Sequence, residues 1–208
     1  MKIKPILIIS GEPYSTFTEI FFKTINKNKI KKKIILIVSK SLFMKQMNLL
    51  GFNFEINLID KKKINVKKLS KTKINIIDVN YDFKKIFDKI SNKSNYYIEE
   101  SFKIALKLMK TKKYSGLING PISKKNFLKG RFLGITEYLA NKTNKKNKVA
   151  MLIYNKKLSV SPITTHLPLK EVHKHLTKKK IINHVKLIKK FYQKKFNKNP
   201  KIAITGLN

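Results

Sequence analysis

Short apolar runs and helical stripes alternate along the chain, the signature of βα units and a largely parallel sheet. Residues 5–10 (PILIIS) and 34–39 (IILIVS) are β-branched runs of the buried-strand type. Between them, Thr16 to Ile25 places Phe17, Ile20, Phe21 and Ile25 on one helical face, and Ser41 to Leu50 predicts a second helix closed by Gly51. Two further apolar stretches, 53–59 and 74–79, read as strands; the lysine run 61–69 between them fits either a hairpin loop or an exposed excursion. From Tyr96 to Lys110 the positions Ile98, Phe102, Ala105, Leu106 and Met109 recur at helical spacing. A buried strand from Tyr114 to Asn119 follows and ends in Gly120-Pro121. Val149 to Tyr154 and Leu158 to Ile163 predict an antiparallel hairpin around Asn155-Lys156-Lys157. A long helix from Lys178 to Phe196, with Ile181, Val185, Ile188 and Tyr192 in one stripe, leads to a strand from Lys201 to Thr205. The expected fold class is α/β: a mixed, largely parallel sheet flanked by helices. With no repeat, linker or shift in composition, the chain reads as part of one domain.

Composition narrows this picture. A chain of 208 residues with 42% hydrophobic residues is long enough to bury a core. The chain has no cysteine, which removes disulfides and thiolate metal sites and agrees with a reducing cytoplasm. The N-terminal apolar run meets Gly11-Glu12-Pro13 too soon to be a signal-peptide core or a membrane span, so a cytoplasmic protein with no membrane partner is expected. The formal charge of +37 suggests nucleic-acid binding. Against that, Arg131 is the sole arginine among 48 basic residues, and the lysines are scattered over the whole length. Lysine lacks the fork that reads bases and grips phosphate bidentately. A solvated lysine-rich surface, without a nucleic-acid partner, is the expectation.

Four segments carry chemistry. In Ile163-Thr164-Thr165-His166-Leu167-Pro168-Leu169 a predicted strand ends in two hydroxyls and an imidazole, and His166 can ligate a divalent metal there or serve as a structural polar residue. Asn119-Gly120-Pro121-Ile122-Ser123-Lys124 brings a strand into a tight turn, after which Lys124 can meet a phosphate or carboxylate, or stay solvated. Gly134-Ile135-Thr136-Glu137 places a hydroxyl and a carboxylate at a helix start, where Thr136 can equally be an N-cap. Ser10-Gly11-Glu12-Pro13 is a turn feeding a helix N-terminus that can hold an anion, without the glycine spacing of a nucleotide fingerprint. His173 and His175 fall on different faces of a predicted helix, and His184 borders an apolar stripe.

The order of these segments resembles the 4-hydroxythreonine-4-phosphate dehydrogenases: a GEP turn after the first strand, NGPISK, GITEYL, ITTHLPL, a long helix and GLN. The resemblance covers essentially the whole chain. It implies a fold like that of isocitrate and isopropylmalate dehydrogenases and a homodimer. It also implies NAD- or NADP-dependent oxidation of 4-phosphohydroxy-L-threonine, followed by decarboxylation to 3-amino-2-oxopropyl phosphate, in pyridoxal phosphate synthesis. A divalent metal (Zn2+, Mg2+ or Co2+) would stabilise the developing alkoxide and enolate. The family's metal-binding histidine maps to His166 and its substrate-contacting threonine to Thr136. Ile135 stands where the family has a histidine and cannot hydrogen-bond the substrate. Asn119, Lys124 and Glu12 map near the family's cleft as substrate-side residues.

The family continues past the GLN segment into a Pro-His-Ala-Gly stretch, further metal histidines, substrate-binding lysine and arginine, and the dinucleotide site. The chain is therefore expected to be an N-terminal portion of a dehydrogenase, inactive alone and without its cofactor-binding part. The alternative is a non-catalytic homologue that binds a phosphorylated small ligand or a partner.

Overall fold

The structure is a computed structural model that describes residues 4–28, 32–145, 148–165 and 167–206. Its contacts divide the chain into two compact units, Met1–Gly130 and Arg131–Asn208.

The first unit is a five-stranded sheet of β1 (Ile6–Ile9), β2 (Ile34–Val38), β3 (Ile56–Leu58), β4 (Ile74–Asp78) and β5 (Gly116–Asn119). The strand order is β3-β4-β2-β1-β5, and every neighbouring pair is parallel, with Ile8 opposite Leu36 on one side and Ile118 on the other. The strands connect through α1 (Phe17–Lys27), α2 (Lys40–Leu49) and α3 (Asn95–Lys110). Side chains alternate between the two faces of a strand. Ile8, Leu36, Val38 and Ile76 accordingly pack with Phe21, Phe22, Phe43 and Met47 of α1 and α2. Leu7, Ile9, Ile35 and Ile37 project to the opposite face and are fully buried, and α3, which buries Tyr97, Ile98, Phe102 and Ala105, lies against β1, β2 and β5. Both faces are thus covered, which is why these strands read as continuous apolar runs.

The sequence pattern and the structure part company at three places: the stretch 53–59, the predicted hairpin and the predicted strand from Lys201 to Thr205. Only Ile56–Leu58 of the stretch 53–59 is strand, because Phe54 turns into the aromatic core and stacks on Phe22 at a centroid distance of 6.0 Å. The lysine run is an exposed excursion, since β3 and β4 are parallel and a tight hairpin cannot join them. Within it Asn65 caps a short 3-10 turn, Val66–Lys68, by accepting from the Lys67 amide at 3.0 Å.

The second unit holds α4 (Ile135–Lys142), α5 (Leu169–His175) and α6 (Lys178–Phe196). The predicted hairpin contracts to one antiparallel bridge, Ile153 with Val160, closed by reciprocal bonds of 2.8 and 3.0 Å. Antiparallel pairing among the described residues is confined to that bridge. The predicted strand from Lys201 to Thr205 is irregular and exposed, with no ladder partner among the described residues. A strand needs a neighbour for its backbone groups, and apolar content alone does not supply one. The α6 helix forms as expected, capped by Thr177, whose hydroxyl accepts from the Lys180 amide at 3.2 Å.

Candidate functional site

In an open parallel sheet, ligands gather beyond the carboxyl ends of strands where the chain reverses the direction in which it adds strands. Here that point lies between β1 and β5: β2 joins β1 on one side and β5 on the other. Two turns leave these strand ends, Ser10-Gly11-Glu12-Pro13 from β1 and Gly120-Pro121-Ile122-Ser123 from β5.

The turns interlock through their backbones. The Gly120 amide donates to Ile9 O at 2.7 Å, and the Glu12 amide donates to Pro121 O at 2.8 Å. Gly11 has φ +74°, and a Cβ there would come within 2.2 Å of Pro121 O. A Cβ on Gly120 would come within 2.0 Å of Ser10 O. Glycine is therefore required on both sides of the crossing.

Glu12 binds the crossing together. Its side chain is buried; Oε2 accepts from Ser94 Oγ at 2.7 Å, and Oε1 accepts from the Ser123 amide at 3.2 Å. Ser123 in turn accepts from the Asn126 amide at 3.1 Å, capping the π-helical turn Lys124–Leu128 that starts with Lys124. The Lys124 side chain is exposed. Asn119, at the end of β5, is half-buried and donates through Nδ2 to Gly120 O at 3.0 Å. Glu12, Asn119 and Lys124 are thus brought to one pair of turns, Glu12 as the internal tether and Lys124 at the surface.

Sequence reasoning missed the residues beneath these turns. The Tyr97 hydroxyl, fully buried on α3, lies 2.8 Å from Ser10 Oγ and accepts from the Ser39 amide at 3.2 Å, joining the ends of β1 and β2. Burial pushes this phenol up to about 12, against the opposing effect of its hydrogen bonds from Ser10 and Ser39. Tyr81 packs against Tyr97 at 5.2 Å and Tyr14 at 5.9 Å, and its hydroxyl is also raised, first by burial and then by Tyr14. Both phenols stay protonated at neutral pH. The signal that could have found Tyr97 and Ser94 is spatial, since their partners lie 87 and 82 residues away.

The other predicted residues belong to the second unit. Ile135 and Thr136 form the first turn of α4 behind Gly134, both half-buried. Thr136 is inside the helix and Gly134 occupies the N-cap position. The next residue, Glu137, has a buried Oε2 without a hydrogen-bond partner among the described residues. His166 lies outside the described residues. His173 and His175 are exposed on α5. His184 is half-buried with Nε2 2.7 Å from Ser161 Oγ, and burial, aided by the Lys180 charge, holds its pKa below the ordinary value. Among the described residues no group of three or more His, Asp or Glu side chains can hold a metal ion, and no helix is long and apolar enough to cross a membrane.

Residues 29–208 match the family described as pyridoxal phosphate biosynthetic protein PdxA. A 4-hydroxythreonine-4-phosphate dehydrogenase of Sulfurihydrogenibium sp. is 37% identical over an alignment of 209 residues, which takes in 98% of this chain and 62% of the relative. The enzyme of that name from Colwellia psychrerythraea is 27% identical over 207 residues, again 62% of its length. This chain thus spans about 62% of the length of these curated relatives. The crystal structure of 4-hydroxythreonine-4-phosphate dehydrogenase from Klebsiella pneumoniae superposes with a TM-score of 0.78 at 21% identity, over 91% of this chain and 59% of that one, so the two share a fold.

Proposed function

This chain belongs to the PdxA family of pyridoxal phosphate biosynthetic proteins, and from that membership we propose that it carries the substrate-side part of a 4-hydroxythreonine-4-phosphate dehydrogenase. The reaction is oxidation of the secondary alcohol of 4-phosphohydroxy-L-threonine by NAD or NADP, with decarboxylation of the resulting ketone to 3-amino-2-oxopropyl phosphate. The proposed setting is a homodimer in the cytoplasm.

The observation that carries this reading is the pair of interlocked turns at the point where the sheet reverses its order, with Lys124 exposed on the turn that follows Asn119. Lys124 supplies a cation for the phosphorylated substrate, and Asn119 an amide beside it. In the second unit, Thr136 and Ile135 stand at the family's substrate-side threonine and histidine positions, and of the two only the Thr136 hydroxyl can hydrogen-bond a ligand. Glu12 has both oxygens engaged by Ser94 and Ser123, so its role is to hold the Lys124 turn.

His166 is proposed as one metal ligand. A catalytic divalent ion takes about three protein ligands, and the described residues do not provide such a set. The 208-residue chain alone is expected to form no NADH. A second reading, binding without turnover, is favoured by Ile135, which replaces a hydrogen-bonding histidine of the family.

The test is NADH formation by the purified chain with 4-phosphohydroxy-L-threonine and Mg2+, Zn2+ or Co2+, beside calorimetric binding of the same substrate. Binding without turnover, weakened about tenfold in Lys124→Ala, is expected from loss of one charge-assisted contact. Turnover abolished by His166→Ala would overturn the expected inactivity and establish the ligand. Absence of both binding and turnover would remove the substrate-side reading.

A further inference from the structure

Beneath the Glu12 turn, α1 starts in an incompletely bonded state. Its N-cap residue Thr16 makes no side-chain cap bond, and the Phe17 amide reaches only Ser15 Oγ, at 3.4 Å. The first amides of a helix need acceptors from outside the helix. One residue on, Thr18 is 4% exposed, and its Oγ1 has no hydrogen-bond partner among the described residues. Thr18 lines a small cavity of about 10 Å³, together with Ser10, Ser15, Ser39, Phe43 and Gln46.

We propose that this cavity is a site for one ordered water molecule, bonded to Thr18 Oγ1 and completing the first turn of α1 beneath Gly11-Glu12-Pro13. Size and chemistry both select water. The volume matches about one water and excludes phosphate, carboxylate or any larger ligand. The lining is mixed, with Pro13, Val38, Leu42 and Phe43 beside the hydroxyls, and it is the buried, unpartnered Thr18 hydroxyl that favours a water over a dry void. A metal cation would want about six oxygen ligands, and most of the hydroxyls here are already committed. Ser10 Oγ is bonded to Tyr97, Ser39 Oγ to Ser41, and Ser15 Oγ to Glu12 O. A hydroxyl oxygen so engaged still has a lone pair for a water, so the two to four partners a buried water requires are at hand. The water joins α1 to the ends of β1 and β2 and stiffens the turn from which Glu12 holds Ser123.

The experiment uses the whole chain. Water–protein cross-relaxation is measured by NMR at the Thr18 methyl, and melting is compared for wild type and Thr18→Val. A long-lived water cross-peak at that methyl is expected, with Tm of the valine variant lower by about 2–4 °C because the water loses its partner. Absence of the cross-peak overturns the proposal whether or not the variant folds. A rise in Tm for Thr18→Val also overturns it, since removal of a dry, unpaired hydroxyl relieves its burial cost. A Tm of the wild type that rises when choline is replaced by potassium would assign the site to a cation instead.

Discussion

The two units of this chain use the same alphabet of Ile, Leu, Phe and Lys and reach different degrees of burial. In the first, β1, β2 and β4 are covered on both faces, and Phe22 and Phe43 are fully buried in an aromatic cluster. In the second, the 19-residue α6 contains no buried residue, and Ile153, Leu158 and Val160 around the bridge are all more than half exposed. Periodicity decides which element forms, while burial depends on whether another element arrives to cover it. The parallel sheet of the first unit brings its own cover, since the crossovers that carry α1, α2 and α3 supply helices for its two faces.

That contrast can be broken most severely at the aromatic cores. Phe22→Ala should cost about 3–5 kcal/mol in urea unfolding, the usual penalty for emptying a fully packed aromatic position. Phe196→Ala, in the aromatic cluster of α6, should cost only about 1 kcal/mol, the worth of its ring contacts with Tyr154 and Tyr192. Comparable losses at both positions would show the second unit to be as tightly packed as the first.

Backbone packing gives a smaller contrast. Gly120→Ala should destabilise by about 2–3 kcal/mol, because its methyl meets Ser10 O and neither backbone can yield without opening the crossing. Gly206→Ala, where nothing lies within 4 Å of the added atom, should stay within about 0.5 kcal/mol.

Titration separates the units further. The folded state holds the Tyr97 proton more tightly than the unfolded chain does, so its contribution to stability is whole below about pH 10 and is lost as pH rises toward about 12. The loss should be about 2 kcal/mol and should shrink in Tyr97→Phe, as read from chemical denaturation at alkaline pH. Tyr81 titrates in the same direction, so the variant removes part of the alkaline dependence and leaves the rest. His184 runs the other way and more weakly. Its folded pKa is depressed, so its contribution is present above the ordinary histidine pKa and declines as pH falls below it. An NMR titration of its ring should show a midpoint below 6.5, which returns toward that value in Lys180→Ala by the part due to the Lys180 charge.

Much of the fold was legible because local pattern and global role agree. The runs at Ile6–Ile9, Ile34–Val38 and Ile74–Asp78 are β-branched, and both faces of each are used. The stripes of α1, α3 and α6 keep helical spacing. Phe54 reads as strand in the sequence because a residue pulled into an aromatic cluster and a residue in a ladder are both simply apolar there. Ile202 and Ile204 were misread for the converse reason, since nothing in a short run states whether a neighbouring strand exists.

The candidate site was legible as turns and motifs, and its wiring was not. Gly11 and Gly120 announce turns, yet only the structure makes each the other's reason for lacking a side chain. Glu12 maps near the family's cleft, but the bonds that its two oxygens accept from Ser94 and Ser123, 82 and 111 residues away, are visible only in the structure. Bonds across such separations leave no mark in local spacing.

Asn119 and Lys124, at the end of β5 and on the turn that follows it, are proposed to meet a phosphorylated substrate. The most direct test is an amide NMR titration of the chain with 4-phosphohydroxy-L-threonine, with inorganic phosphate and threonine as controls. Saturable shifts concentrated on Asn119 to Lys124 are expected, and they should be lost in Lys124→Ala while the Tyr97 and Phe22 amides stay in place. Shifts spread evenly over the lysine-rich surface, or unchanged by Lys124→Ala, would contradict it.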